Sequence, residues 1–339
     1  MTAVRKSLVL LPVRLAVAVV ASLYTAVPAS AADWLFPSAP PATTPTYSGE
    51  FGLRFWYGRG NTAKNLYDTT GTVLVSRLTY GDLSIFAAEA YGRFDYDRGW
   101  FLKGYAGGGS FRKGNLKDED WGLPAPLNSY SATLSVQENG TPYYGSLDLG
   151  YNVVRGGDFR IGLFAGFHYL NESVSAFGCT QLDFNPLICG AGPIPNSVKV
   201  ITQENNWYSL RLGVDASVEI NRFKLSVDAA FVPYVFMRGN DWHWLRIGNQ
   251  IGDFTGPLPE DGKGWGYQLE GSLSYRVSDT GSIGLGVRYW RLETKGQTHF
   301  ENHIVGGGGA PQAVEWKTES FGVFVQGSIK FGPYFLGGV

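Results

Sequence analysis

From Ser48 onward, apolar and polar residues alternate with a period of two in one segment after another. In residues 146–153, Leu147, Leu149, Tyr151 and Val153 share one face, and Ser146, Asp148, Gly150 and Asn152 share the other. That is the pattern of an extended strand with one greasy side. It returns in Leu210/Leu212/Val214 against Arg211/Gly213/Asp215, in Phe223/Leu225/Val227 against Lys224/Ser226/Asp228, in Tyr267/Leu269/Leu273 against Gln268/Glu270/Ser274, and in Ile283/Leu285/Val287 against Gly284/Gly286/Arg288. A soluble sandwich alternates too, so the connections must decide which face meets what.

The connections fall into two classes that themselves alternate. Short turns lie near residues 96–99, 155–158, 220–222 and 278–281, and long connections at about 59–71, 112–140, 177–198, 239–262 and 299–314. Four turns and five loops join ten strands, with Leu74 to Tyr96 read as one long strand kinked around Tyr80-Gly81-Asp82. Short turns opposite long loops, with an even strand number, mark an outer-membrane barrel. Several strands exceed the ~9–11 residues needed to cross, so they should project above the bilayer. Trp 10, Tyr 19 and Phe 21 supply interfacial girdles. The expected fold is therefore an all-β, ten-stranded antiparallel transmembrane β-barrel of the outer membrane, residues 48–331, with long extracellular loops. Its last strand ends on Phe331, followed by a tail at 332–339.

Composition sharpens the picture. The chain has 339 residues, 44% hydrophobic and 17% charged, with net charge -1, which excludes disorder and a basic nucleic-acid binder. Residues 1–31 read as a secretory signal. Arg5, Lys6 and Arg14 supply positive charge, Leu15 to Val27 is the apolar stretch, too short to span, and Ala29-Ser30-Ala31 fits the cleavage rule. A Pro-rich periplasmic leader follows at 32–47. Export into an oxidising compartment makes Cys179 and Cys189, both in one loop, an expected disulfide.

Two segments concentrate chemistry: Lys117-Asp118-Glu119-Asp120-Trp121 at the start of the second long loop, and Gly239-Asn240-Asp241-Trp242-His243 at the start of the fourth. In extended backbone i and i+2 point the same way, so Asp118 faces with Asp120 and Asp241 with His243. Neighbouring carboxylates raise at least one pKa and can hold a water, and a carboxylate beside His orients the imidazole. Together they could activate water against a carbonyl. Taken singly, each motif is more often a solvated surface or an Asx-turn. Asp118/Glu119/Asp120 could also hold calcium, but the segment lacks the Gly and distal Glu of an EF-hand loop. His299, Glu301 and His303 have no helix to align them on zinc, so no metal is expected. His168 reads as a polar lumen residue.

At this point the chain resembles the omptins, ten-stranded outer-membrane proteases of Gram-negative bacteria, from about Gly49 to Phe331. Residues 116–121 look like the family's D-x-D-W segment and residues 240–243 like its N-D-x-H segment, with secondary matches at 162–166 and, after the ninth strand, 295–298. The resemblance implies an endopeptidase at the cell surface. Asp241 would orient His243, Asp118 and Asp120 would hold the water opposite, and no covalent intermediate would form. The family's acidic subsites, however, align with Lys64 and Gly239. Neither is acidic, so cleavage between basic residues does not carry over, and the Lys64 charge would favour acidic or neutral substrates. Asn171 stands nearest the family's lipopolysaccharide-binding arginine. A lipopolysaccharide requirement is therefore open, and no other cofactor is expected. Expected partners are outer-membrane lipid and peptide or protein substrates, with no nucleic acid. A catalytically inactive barrel with an adhesion, structural or narrow-pore role is the competing reading. Inward charges at Arg160, Arg211, Asp215, Lys224, Asp228, Glu270, Arg276 and Arg288 argue against a wide pore.

Overall fold

Alternating strands can bury one face without a second layer if the sheet closes on itself. The structure, a computed structural model, describes residues 47–96, 98–121, 130–183, 189 and 192–332. The signal, most of the leader and the tail beyond Gly332 lie outside the described residues; Tyr47, placed in the leader from sequence, already belongs to the first strand. The strands are β1 (Tyr47–Tyr67), β2 (Leu74–Tyr96), β3 (Trp100–Phe111), β4 (Gly114–Asp120), β5 (Ser131–Arg155), β6 (Phe159–Asp183), β7 (Ile194–Ile220), β8 (Phe223–His243), β9 (Leu258–Arg276), β10 (Gly281–Thr298) and β11 (Gln312–Phe331). Each pairs antiparallel with its neighbours, and β1 pairs with both β2 and β11, so the barrel closes and leaves no edge. β3 and β4 both lie between β2 and β5 and form one strand interrupted at Arg112 and Lys113. Ten strands therefore wrap the barrel.

The greasy face is the outer one. Phe55, Leu147, Leu149, Leu163, Leu212, Leu285 and Val323 are exposed on it. Aromatics frame this belt, with Tyr57, Phe86, Tyr143 and Tyr234 at one rim and Tyr47, Phe94, Trp100 and Tyr275 at the other, as a bilayer requires.

Inside the belt the lumen is filled by paired charges. Arg288 meets Glu89 and Glu270, each at 2.6 Å, and Arg54 meets the same two acids at 3.1 and 2.8 Å. Arg211 bridges Asp148 (3.1 Å) and Asp228 (3.0 Å), while Arg93 and Lys103 share Asp215. Buried charges survive only when paired in this way. Of the inward charges expected from sequence, Arg276 is the partial exception, since it lies half-exposed near the short-turn end against Glu219.

The loop boundaries need correction. The expected loop at 112–140 holds β4 and the first part of β5, and the one at 239–262 holds the end of β8 and the start of β9. Residues 59–67 belong to β1, and 177–183 and 194–198 to β6 and β7. Residues 312–314 begin β11, and Lys295–Thr298 end β10 instead of following it. Above the bilayer the outer face meets water and the buried inner face mixes polar with apolar side chains (Lys64, Asp241 and Glu260 beside Leu78, Leu116 and Trp316), so the hydropathy contrast fades while backbone pairing continues. The kink in β2 is real: Asp82 has φ 54°, and two residues of β2 stand opposite Asn61 of β1, whose side-chain oxygen accepts the Asp82 N–H at 3.0 Å.

Glu89→Ala would leave Arg54 and Arg288 sharing Glu270 alone. Removing one partner of a buried ionic cluster costs about 3–5 kcal/mol. Urea unfolding in detergent should show a loss of that order, and an unchanged midpoint would mean the cluster is dispensable.

Candidate active site

The site sits at the long-loop end, beyond the aromatic rim. Asp241 follows Tyr234 along β8, and Asp118 lies opposite Leu78 of β2, well past Phe86. At roughly 3.3 Å of rise per residue, these offsets place both outside the apolar belt.

β4 turns Leu116, Asp118 and Asp120 inward and Lys117 and Glu119 outward. Glu119 there accepts from Lys117 at 2.7 Å and from Tyr130 at 2.8 Å. It therefore cannot join the two aspartates around calcium. On β8 the same alternation turns Asp241 and His243 inward, and the strand ends in a short 3-10 turn, Trp244–Arg246. Phe254, buried in the following loop, lies edge-on to the His243 ring at 5.6 Å.

Asp241 Oδ2 lies 3.0 Å from His243 Nε2 and also accepts from Lys64 Nζ at 2.8 Å. This leaves Nδ1 as the second ring nitrogen of His243. Burial alone would lower the imidazole's pKa, but the charge and hydrogen bond of Asp241 outweigh it and hold His243 above 6.5. Asp241 feels burial too, yet His243 and Lys64 keep it well below the usual carboxylate range. Across the cleft, burial and then the charge of Asp120 push Asp118 up to about 7. Burial likewise raises Asp120. His243 opposes both rises, so the two walls lie within electrostatic reach of each other.

Lys64 and Gly239 do not line an open cleft. Lys64 is 2% exposed, and its ammonium is held by Asp241 and, in a shorter contact, by Glu260. Gly239 lies opposite Glu260, and a Cβ there would come within 2.5 Å of the Asn205 side-chain oxygen. A larger residue at 239 therefore does not fit without displacing Asn205.

Two residues missed from sequence belong to the site. Glu260, assigned to a loop, is an inward residue of β9. Tyr80, noted only at the kink, is fully buried, and its phenol is pushed well up by burial and by Asp241, Asp118 and Glu260. The Tyr80 hydroxyl, Asp118 Oδ1 and Asp241 Oδ1 are buried without a hydrogen-bond partner among the described residues. Buried polar atoms of this kind call for ordered water.

Elsewhere, His299 is held by Glu301 at 2.6 Å and Asp261 at 3.0 Å, so both its ring nitrogens are engaged. His168 is buried in the lumen beside Tyr105 and Trp290. Cys179 and Cys189 are joined as a disulfide with Cα atoms 6.0 Å apart. Asn171 donates to Asn206 at 3.0 Å.

Barrel, belt and plugged lumen define an outer-membrane β-barrel protein. The Omptin family model matches residues 59–303, and the chain belongs to that family, whose members are outer-membrane proteases. Among solved structures it is similar to the outer membrane protease OmpT from Escherichia coli, at 15% identity, covering 86% of this chain and 99% of that one with a TM-score of 0.65. The outer membrane protein AlkL aligns at 10% identity over 87% of this chain and 97% of its own, with a TM-score of 0.31. No curated protein matches by sequence.

Asp118 is protonated more readily in the folded chain than at its usual 3.8, so folding takes up a proton and stability falls as pH rises from about 4 to about 7. Asp118→Asn should therefore raise the thermal midpoint at pH 8 and change it little at pH 4. Equal effects at both would contradict the assignment.

Proposed function

We propose that the protein is an endopeptidase of the cell surface, hydrolysing peptide bonds with a water activated by His243 and Asp241 opposite Asp118 and Asp120. The observation that carries this reading is the Asp241–His243 contact at 3.0 Å facing a carboxylate pair. His243 Nδ1 takes a proton from the water as its oxygen bonds to the peptide carbonyl carbon. The imidazolium, steadied by Asp241, then returns that proton to the leaving nitrogen as the C–N bond breaks. Asp118 and Asp120 hold the water, and no bond to the protein forms. Tyr80 is a positioning residue in this scheme: its hydroxyl, with Asp118 Oδ1 and Asp241 Oδ1, anchors a second water beneath the first.

Long loops mark the outward end of such barrels, which supports a cleft that faces outside the cell. For lipopolysaccharide, Arg238 supplies a cation on the outer face above Tyr234, exposed and packed over Phe236 at 5.1 Å. It lies opposite Asn206, the partner of Asn171.

Refolded protein should cleave peptides from a mixed library read by mass spectrometry, with lipopolysaccharide increasing the rate. His243→Ala should lose about 10²-fold or more. Activity should rise with pH through the region above 6.5, because His243 is the base only when neutral. A properly folded wild type that cleaves nothing with or without lipopolysaccharide would leave an inactive barrel.

Tyr80→Phe should lower kcat about tenfold with KM and the folding midpoint nearly unchanged, since the hydroxyl makes no hydrogen bond to another described side chain that the change would break. A lower midpoint with unchanged kcat would make Tyr80 merely structural.

A further inference from the structure

Lys64 reaches its position from the β1 wall. Its ammonium meets Asp241 at 2.8 Å and Glu260 in a shorter contact, and lies 5.7 Å from the centre of the Trp316 ring. Both acids have fully buried side chains. Glu260 is fixed on its other sides by Thr298 at 2.9 Å and Gln203 at 3.0 Å. Two oriented carboxylates and an aromatic ring make a receptor for a primary ammonium. The receptor adjoins the chemistry, because the oxygen of Asp241 that accepts from Lys64 is also the one that meets His243.

We infer that this is a cation-binding subsite permanently filled by the chain's own lysine, so that the cleft shuts out basic side chains and takes peptides whose residue beside the scissile bond is not basic. This specificity rests on the proteolytic reading; the cation site itself does not. A second cation entering the floor would meet the Lys64 charge, since Asp241 and Glu260, the two acids of the floor, are already engaged, and Asp118 and Asp120 stand on the opposite wall. Conversely, truncating Lys64 to alanine removes three methylenes and the ammonium, leaving two buried acids around a slot of about the length of n-propylammonium.

Lys64→Ala is compared with wild type and with Lys64→Met, which keeps the slot filled without charge. Millimolar n-propylammonium should raise the thermal midpoint of Lys64→Ala by several degrees and leave the other two unmoved. In the peptide library, wild type should discriminate against Lys and Arg beside the scissile bond. Lys64→Ala should gain at least tenfold for them relative to neutral residues, and n-propylammonium should compete with that gain. If Lys64→Ala does not refold, Lys64→Ala with Glu260→Gln leaves one acid instead of two and should still be stabilised by the amine, more weakly. The inference is overturned if no truncated protein responds to the amine, or if wild type already prefers basic residues. Amine stabilisation without peptide cleavage by any form would keep the cation site and reject the protease.

Discussion

One carboxylate oxygen of Asp241 is shared between the imidazole of His243 and the ammonium of Lys64, and the chemistry of the cleft depends on that division. A carboxylate buried alone would be protonated and of little use. Held between two cations it stays charged, orients the ring and stabilises the imidazolium formed in proton transfer. The same contact ties β1 to β8 across the lumen, fixing two walls of the cleft with one interaction. Lys64 can play this part only because Glu260 shares its charge.

The site is also a consequence of what lies below it. A ten-stranded barrel encloses a lumen that side chains must fill, and here they fill it with guanidinium and carboxylate groups paired across the lumen. That lattice makes the upper strands a rigid mount. The reacting groups stand on strands and not on mobile loops, which suits a site that must hold water in fixed geometry.

Where one face of a strand met lipid, the sequence was easy to read. Leu147, Leu149 and Tyr151 against Ser146, Asp148 and Gly150 announce both the strand and its outward side. Higher up the contrast disappears: Lys117 and Glu119 face water, Asp118 and Asp120 face the cleft, and all four are charged. The i, i+2 argument puts each pair on one face even though the polarity of the segment points to a loop. The pairing of Lys64 with Glu260 lay beyond reach, because it depends on barrel closure and on an inward alternation within a polar stretch. Tyr80 carried no signal beyond its place at a bulge. Lys64 was recognised as a departure from the acidic residue expected there, but only its buried position shows that its charge is engaged within the protein.

The most direct measurement is an NMR titration of His243, assigned by comparison with His243→Ala in protein carrying labelled histidine, for wild type and for Asp241→Asn. The shared-carboxylate account predicts an imidazole that titrates above 6.5 in wild type and falls clearly when Asp241 loses its charge. A His243 that titrates at or below 6.5 in wild type, or that does not respond to Asp241→Asn, would contradict it.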